Sequence, residues 1–560
     1  MSFTKPVLPL DRENARFQVV FRSPVTFAVV LASVFLVFYN MRFWRSTITA
    51  LWSGSVEDSL FIGSLFLVLL FVHALVLLLV SGTRAWKVVA VCGFAIAALA
   101  SYSADTYGVF IDKDMVRNLF ETDAREAGAL LNMRFFAYLM LLGVLPSFLV
   151  LRARIAPLGW KKHTLQSVLF LLAGTGLSVL LIFVFSAHYS SFVREHKPLR
   201  YLLSPGAAIQ GSVQYARSII PEANAHELAD KTGATTRPVA QAGGKPLLMF
   251  LVVGETARAQ NFQLNGYARP TNPELKGMGG VYYFNNVVSC GTSTAISLPC
   301  MFSHLQRENF SVAAAARTTN LLDALVKAGV QVEWRDNNSG SKGVSARIHT
   351  VTYNQAAHAD LCDTESCFDE VLLKGLDEKL KTAKDDTVLV FHQVGSHGPA
   401  YGKRYPKSFE KFVPVCRTNE LKECSNEEIR NTYDNTILYT DHNIAQQIKL
   451  LQSASDRFDS ILIYVSDHGE SLGEKSLYLH GAPYMFAPDE QKKVPFMVWM
   501  SDGYKKRSHL NPSCLQSRLS DAYSHDNLYH TVLGAMNVHN DVYRKALDML
   551  ADCRASTTNS

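Results

Sequence analysis

The sequence has 560 residues, 48% of them apolar, and a formal net charge of +6. That length exceeds one compact core, so two or more domains are expected. The small net charge gives no reason to expect nucleic-acid binding, and no zinc-finger or helix-turn-helix pattern is present.

Five apolar stretches come first, at about 24–41, 59–80, 86–103, 134–152 and 166–188. Each is long enough to cross a bilayer as a helix. The first starts too late, and lacks the small-residue cleavage site, to be a removed signal. Basic residues orient the set. Lys5, Arg12, Arg16 and Arg22 precede the first stretch, Arg84 and Lys87 follow the second, and Arg152, Arg154, Lys161 and Lys162 follow the fourth. The positive-inside rule puts these on the cytoplasmic side. Five crossings then put everything after Tyr189 outside.

The loop at about 103–133 is long, rich in acids and helical in propensity. Asn118, Thr122 and Glu126 recur every four residues and share one helix face. By spacing alone, that is a solvated face. Residues 191–245 read as a bridge: a helical segment, then a small, polar, Gly- and Pro-containing linker. Residues 1–190 are therefore assigned to the membrane, 246–553 to a soluble domain, and 554–560 to a disordered tail.

From about 246 the pattern becomes α/β. PLLMFLVVGET, GVQVEWRDNNSG, TVLVFHQVGSHG, DSILIYVSDHGE and VPFMVWMS read as strands, with helices such as TTNLLDALVKAG between them. Continuous apolar strands suit a parallel sheet covered on both faces. Several end in acids, amides or histidines: Glu255, Asn338, His397, Asp467 and His468. Ligands bind beyond the carboxyl ends of such strands, so these residues converge on one expected site.

Eight of the nine cysteines follow the last apolar stretch, and an even set confined to one domain indicates disulfides in an oxidising compartment. Cys290, Cys300, Cys362, Cys367, Cys416 and Cys424 fall into three sequence-local pairs. Cys514 and Cys553 offer a fourth, less firmly based pair.

Glu255, Asp467 and His468 make an oxygen and nitrogen ligand set for zinc. His397 and His480 are candidates for a second metal or for work on a leaving group, while His392 reads as an interior histidine. The segment from Cys290 to Cys300 offers Thr292, Ser293, Thr294 and Ser297 as nucleophiles. A helix starting near Thr294 would aim its amides at an anion. Spacing does not choose among the four hydroxyls. Metal coordination would make any of them acidic enough to attack.

GETAR at 254–258, CGTSTAISLPC, WRDNNSGSKG, YDNTILYTD and SDHGES together resemble the lipid A phosphoethanolamine transferases. That group includes polymyxin-resistance enzymes and lies within the alkaline-phosphatase/sulfatase superfamily. The resemblance implies a five-helix transmembrane domain joined to a sulfatase-like α/β catalytic domain. It implies Thr294 as nucleophile, bound to zinc with Glu255, Asp467 and His468, with room for a second ion. It implies catalytic or substrate roles for His397 and His480, headgroup binding by Asn338 and Lys342, and lipid binding by Asn118, Thr122 and Glu126. It implies the three close cysteine bridges. Phosphatidylethanolamine would be donor and lipid A acceptor, at the bacterial inner membrane with the catalytic domain in the periplasm, in a monomer. The competing readings are another acceptor, a zinc hydrolase, and a non-catalytic lipid sensor.

Overall fold

The computed structural model describes residues 20–554 apart from 82, 84, 122–127, 129, 157–158, 220–228, 234, 237–243, 354 and 364–365. Two compact units form. One runs to Asp112 and resumes from Leu131 to Val213; the other takes Lys113–Leu130 and everything from Gln214 onward.

The first unit is helical. α1 (Pro24–Phe38), α2 (Met41–Leu51), α3 (Val56–Ser81), α4 (Trp86–Tyr107), α6 (Met133–Leu151) and α7 (Trp160–Val184) carry the apolar stretches. Among the described residues α3, α4, α6 and α7 are each long and apolar enough to cross a membrane. The expected first span at 24–41 is different. α1 has only 15 residues, about 22 Å of helix against a hydrocarbon core of about 30 Å. It bends by 67° into α2, and the count of candidate spans reaches five only with that bent pair taken as one broken span. Asn40 explains the break. Its amide donates to Phe35 O at 2.8 Å and to Ser204 O at 3.0 Å, and its Oδ1 accepts from Ser204 N at 2.8 Å. A buried side chain that satisfies so many backbone groups holds the chain out of helix. α1 packs on α4 through Phe35 and Phe94, stacked at 4.8 Å, and Phe27 and Trp86, edge to face at 4.9 Å. α6 contains a wider turn at Leu139–Val144, just before Pro146, which lacks an N–H to donate.

The bridge begins as α8 (Ser186–Glu195) and α9 (Gly206–Ile219). Bridge residues 220–228, 234 and 237–243, and tail residues 555–560, lie outside the described residues. Arg554, the first residue of that expected tail, is ordered: it pairs with Asp548 at 3.0 Å.

The second unit is built on seven strands: β1 (Leu247–Gly254), β2 (Val281–Phe284), β3 (Gln331–Asp336), β4 (His349–Thr352), β5 (Thr387–His392), β6 (Asp459–Ser466) and β7 (Phe496–Met500). Their order across the sheet is β2-β7-β6-β1-β5-β3-β4. β7 pairs antiparallel with both neighbours, and the other pairings are parallel. Every residue of β1 and β5 is buried, as a two-sided sheet requires. The five strands expected from sequence all form. The short edge strands β2 and β4, four residues each, were not foreseen. Among the covering helices, α11 (Asn426–Ser453) opens with a capping box in which Ser425 and Glu428 satisfy each other's backbone N–H.

The segment α5 (Lys113–Glu121) was expected with the membrane helices; its contacts place it in the second unit. The reason is local. Val116 and Arg117 are buried, and Met115 and Asn118 lie against Gly481 in the loop after His480.

All four cysteine pairs are bonded, Cys290–Cys300, Cys362–Cys367, Cys416–Cys424 and Cys514–Cys553, and all lie in this unit. Cys92, in α4, is free.

Candidate active site

The four adjacent parallel strands β6, β1, β5 and β3 end at one edge of the sheet. Their last residues deliver the site. Glu255 follows β1, Asp467 and His468 follow β6, Asn338 lies just past β3, and His397 lies in the turn after β5. Glu255, Asp467 and His468 are fully buried.

Backbone fit is tight around Glu255. A Cβ on Gly395 would stand 2.6 Å from Glu255 O, so only glycine allows this approach. Ser396 N donates to the same oxygen at 3.0 Å. The next residue, Thr256, has a φ of 50°. Its N–H donates to Asp467 Oδ1 at 3.2 Å, and its carbonyl accepts from Tyr433 OH at 2.7 Å. Those bonds hold a left-handed conformation that a threonine otherwise avoids.

His468 Nε2 lies 3.4 Å from Glu255 Oε1 and 3.3 Å from Asp467 Oδ2. Its Nδ1 is 2.9 Å from Gly469 O. That contact assigns the proton to Nδ1 and leaves the Nε2 lone pair facing the carboxylates, as a metal ligand needs. One ligand atom from each of the three residues lies within 4.8 Å of the others. Asp467 Oδ2 is buried with no hydrogen-bond partner among the described residues. Burial, then the charge of Asp467, pushes Glu255 well above the usual carboxylate range. Burial also raises Asp467 and, with His480 nearby, holds His468 well below an ordinary imidazole. Two carboxylates crowded into a dry pocket beside a neutral imidazole are costly without a cation. The donor set fits zinc.

α10 (Thr294–Met301) begins at Thr294, where a helix start was expected. The Thr294 hydroxyl donates to Glu255 at 3.1 Å and lies 3.4 Å from His468 Nε2. The neighbouring hydroxyls are turned elsewhere. Thr292 Oγ1 donates to Ala482 O at 2.6 Å, and Ser297 Oγ accepts from Gly291 N at 2.9 Å. Ser293 sits at the helix cap without a side-chain bond to it. Of the four candidates, Thr294 is the one the fold aims at the buried ligand set.

His480 and His397 join the same edge. Their rings lie 5.2 Å apart, and His480 is 4.5 Å from the His468 ring. Burial, then His480, keeps His397 well below its usual pKa. Asn338 is more deeply engaged than a headgroup ligand requires: its amide donates to Glu255 Oε2 and to Gln393 O, each at 2.8 Å. Lys342, with a φ of 48°, donates to Ser339 O at 3.2 Å and to Glu121 O of α5 at 3.1 Å. Asn118 lies near Gly481; Thr122 and Glu126 are outside the described residues. His392 is fully buried, with Nδ1 at 3.3 Å from Asp336, consistent with an interior histidine.

Glu470 is a further buried neighbour of the site, to which sequence reading gave no role. Fully buried, it meets His480 Nδ1 at 2.8 Å and accepts from Tyr401 OH at 2.6 Å. Its place in SDHGES, two residues past His468, was the available signal.

The Sulfatase family model matches residues 248–538, and the Phosphoethanolamine transferase EptA/EptB model matches 69–219. The chain is 39% identical over 521 residues to phosphoethanolamine transferase EptA of Escherichia coli (strain K12), covering 92% of this chain and 94% of that protein. It is 41% identical over 456 residues to the phosphatidylethanolamine transferase Mcr-1 of Escherichia coli, covering 79% and 82%. Its structure is similar to the integral membrane lipooligosaccharide phosphoethanolamine transferase A of Neisseria meningitidis, with a TM-score of 0.89, 33% identity, and 96% and 99% coverage.

Proposed function

This chain belongs to the phosphoethanolamine transferase family, and from that premise we propose that it moves phosphoethanolamine from phosphatidylethanolamine to a phosphate of lipid A through a phosphothreonine at Thr294. The observation that carries the reading is the Thr294 hydroxyl, 3.1 Å from Glu255 and aimed into the buried set of Glu255, Asp467 and His468.

Glu255, Asp467 and His468 would hold a zinc ion, with Thr294 completing its shell. When bound, zinc supplies the positive charge that makes a hydroxyl acidic and offsets charge on phosphoryl oxygens. Thr294 Oγ attacks the phosphorus of the donor, and its proton passes to a base at the site. The bond to the diacylglycerol oxygen breaks, and that oxygen takes a proton as diacylglycerol leaves. A phosphate oxygen of the acceptor then attacks the same phosphorus. The bond to Thr294 Oγ breaks, and the hydroxyl is restored. His397, kept neutral by burial, and His480, oriented by Glu470, stand where protons must be moved. Lys342 offers a point charge for phosphate. Asn338 steadies Glu255 while reaching the same space.

Both substrates are lipids, which accounts for the apolar helices attached to a sulfatase-like domain. The reading places the chain in the bacterial inner membrane, as a monomer, with its catalytic unit in the periplasm. The four disulfides and the basic residues at the opposite helix ends support that side. Each transfer adds an amine beside a phosphate, so surface negative charge falls and cationic peptides such as polymyxin bind less well. Mass spectrometry of lipid A from cells with and without the gene tests the acceptor. The expected result is a phosphoethanolamine increment on lipid A only when the gene is present. An unchanged lipid A, with modified core sugar or protein instead, overturns that assignment.

A further inference from the structure

We infer that the cavity beside Asn338 is the subsite for the sugar that carries the accepting phosphate, an inference that rests on the transfer reaction proposed above. The cavity encloses about 400 Å³ and is lined by Asn338, Ser341, Ser345, Thr350, Thr352 and Gln355, among others. That volume lies in the usual range of small-ligand sites.

Its walls follow from local rules. β4 is an edge strand, and successive side chains on a strand alternate between faces. Thr350 and Thr352 therefore share one face. Thr350 Oγ1 donates to Ser345 Oγ at 3.0 Å, which donates in turn to Ser341 Oγ at 2.8 Å. A row of hydroxyls thus runs from the edge strand to the loop that carries Asn338 and Lys342.

The lining selects a chemical class. Among the described residues it contains no lysine, arginine or histidine, so these offer no cation for a phosphate. Among the described residues it also contains no Val, Leu, Ile or Met side chain to receive an acyl chain. Its one carboxylate, Asp336, already accepts from Trp334 Nε1 at 2.7 Å and Asn338 N at 2.8 Å, and so is not reserved for an ammonium group. What remains is a wall of hydroxyls and amides with the Tyr353 ring among them, which suits the hydroxyl edge and apolar face of a carbohydrate ring.

Position supports the same ligand. Asn338 lines the cavity and also donates to Glu255, the carboxylate that meets the Thr294 hydroxyl. Lys342 follows Ser341 of the wall directly in sequence. An acceptor phosphate that meets Thr294 beside Asn338 would bring its ester-linked sugar towards this cavity.

The test uses the full chain in lipid nanodiscs and separates two half-reactions: charging of Thr294 by labelled phosphatidylethanolamine, and discharge by lipid A. Thr352→Val and Gln355→Ala each remove one polar group from the rim. Thr352→Tyr fills the space, and Thr352 is exposed enough for the fold to tolerate all three. The expected result is unchanged charging. KM for lipid A in discharge should rise about 5- to 10-fold for each lost polar group, and Thr352→Tyr should stop discharge. Discharge at the parent rate in all three variants overturns the inference. A raised KM for phosphatidylethanolamine with normal discharge also overturns it, and assigns the cavity to the donor. Failure of the unaltered protein to become charged removes the transfer reading itself, and this subsite with it.

Discussion

β1 and the greater part of α7, from Val168 onward, are both written mainly in apolar residues, yet their fates are opposite. None of the 25 residues of α7 is buried, whereas all eight of β1 are. The helix closes its own backbone hydrogen bonds and can present its side chains to lipid. The strand borrows its bonds from β5 and β6, and its side chains must be covered by protein. Apolar composition therefore reports contact with an apolar environment, which is lipid in one half of this chain and protein in the other. The polar groups invert the same way. In the catalytic half, charged groups are buried at the strand ends, where they cost stability unless they are used.

This contrast is open to attack at several points. The largest effect is expected at the buried polar edge. Thr294→Ala should lower transfer by ~10³-fold or more while leaving the fold intact, because loss of a nucleophile removes a whole step. Transfer assays beside thermal unfolding would check this. Equivalent truncations in the two halves come next. Leu251→Ala, in fully buried β1, should cost about 2–5 kcal/mol by opening a cavity. Leu172→Ala, 64% exposed on α7, should leave unfolding of the catalytic unit unchanged. Similar losses from both would break the comparison.

Reduction should also act on one half alone. Each bridge contributes ~2–4 kcal/mol, and all four lie in the catalytic unit. Reductant should lower that unit's unfolding midpoint while helical content from the membrane half persists, as circular dichroism during a thermal ramp would report. The smallest expected effect belongs to Asn338→Ala. It removes a bond to a ligand carboxylate and should weaken zinc binding about 10-fold, measured by competition with a chelating dye. Unaltered zinc affinity would confine Asn338 to substrate contact.

Much of this was legible in the sequence. Continuous apolar runs ending in Glu255, Asp467 and His468 gave the central strands and the converging edge, because a parallel sheet forces both features. The short edge strands were not legible, since four residues such as HTVT carry no pattern of their own. The break at Asn40 was hidden because it depends on Ser204, 164 residues away. The choice of Thr294 over Thr292 or Ser297 is a matter of where each hydroxyl points, and spacing carries no such information. Glu470 was visible as a residue, but its role needs the loop that brings back His480.

The most direct measurement is intact-mass and peptide analysis of the zinc-loaded full chain after exposure to phosphatidylethanolamine without acceptor. The account predicts one phosphoethanolamine increment, mapped to Thr294 and lost when lipid A is added. An unmodified Thr294 in a preparation that still transfers phosphoethanolamine at full rate would contradict it.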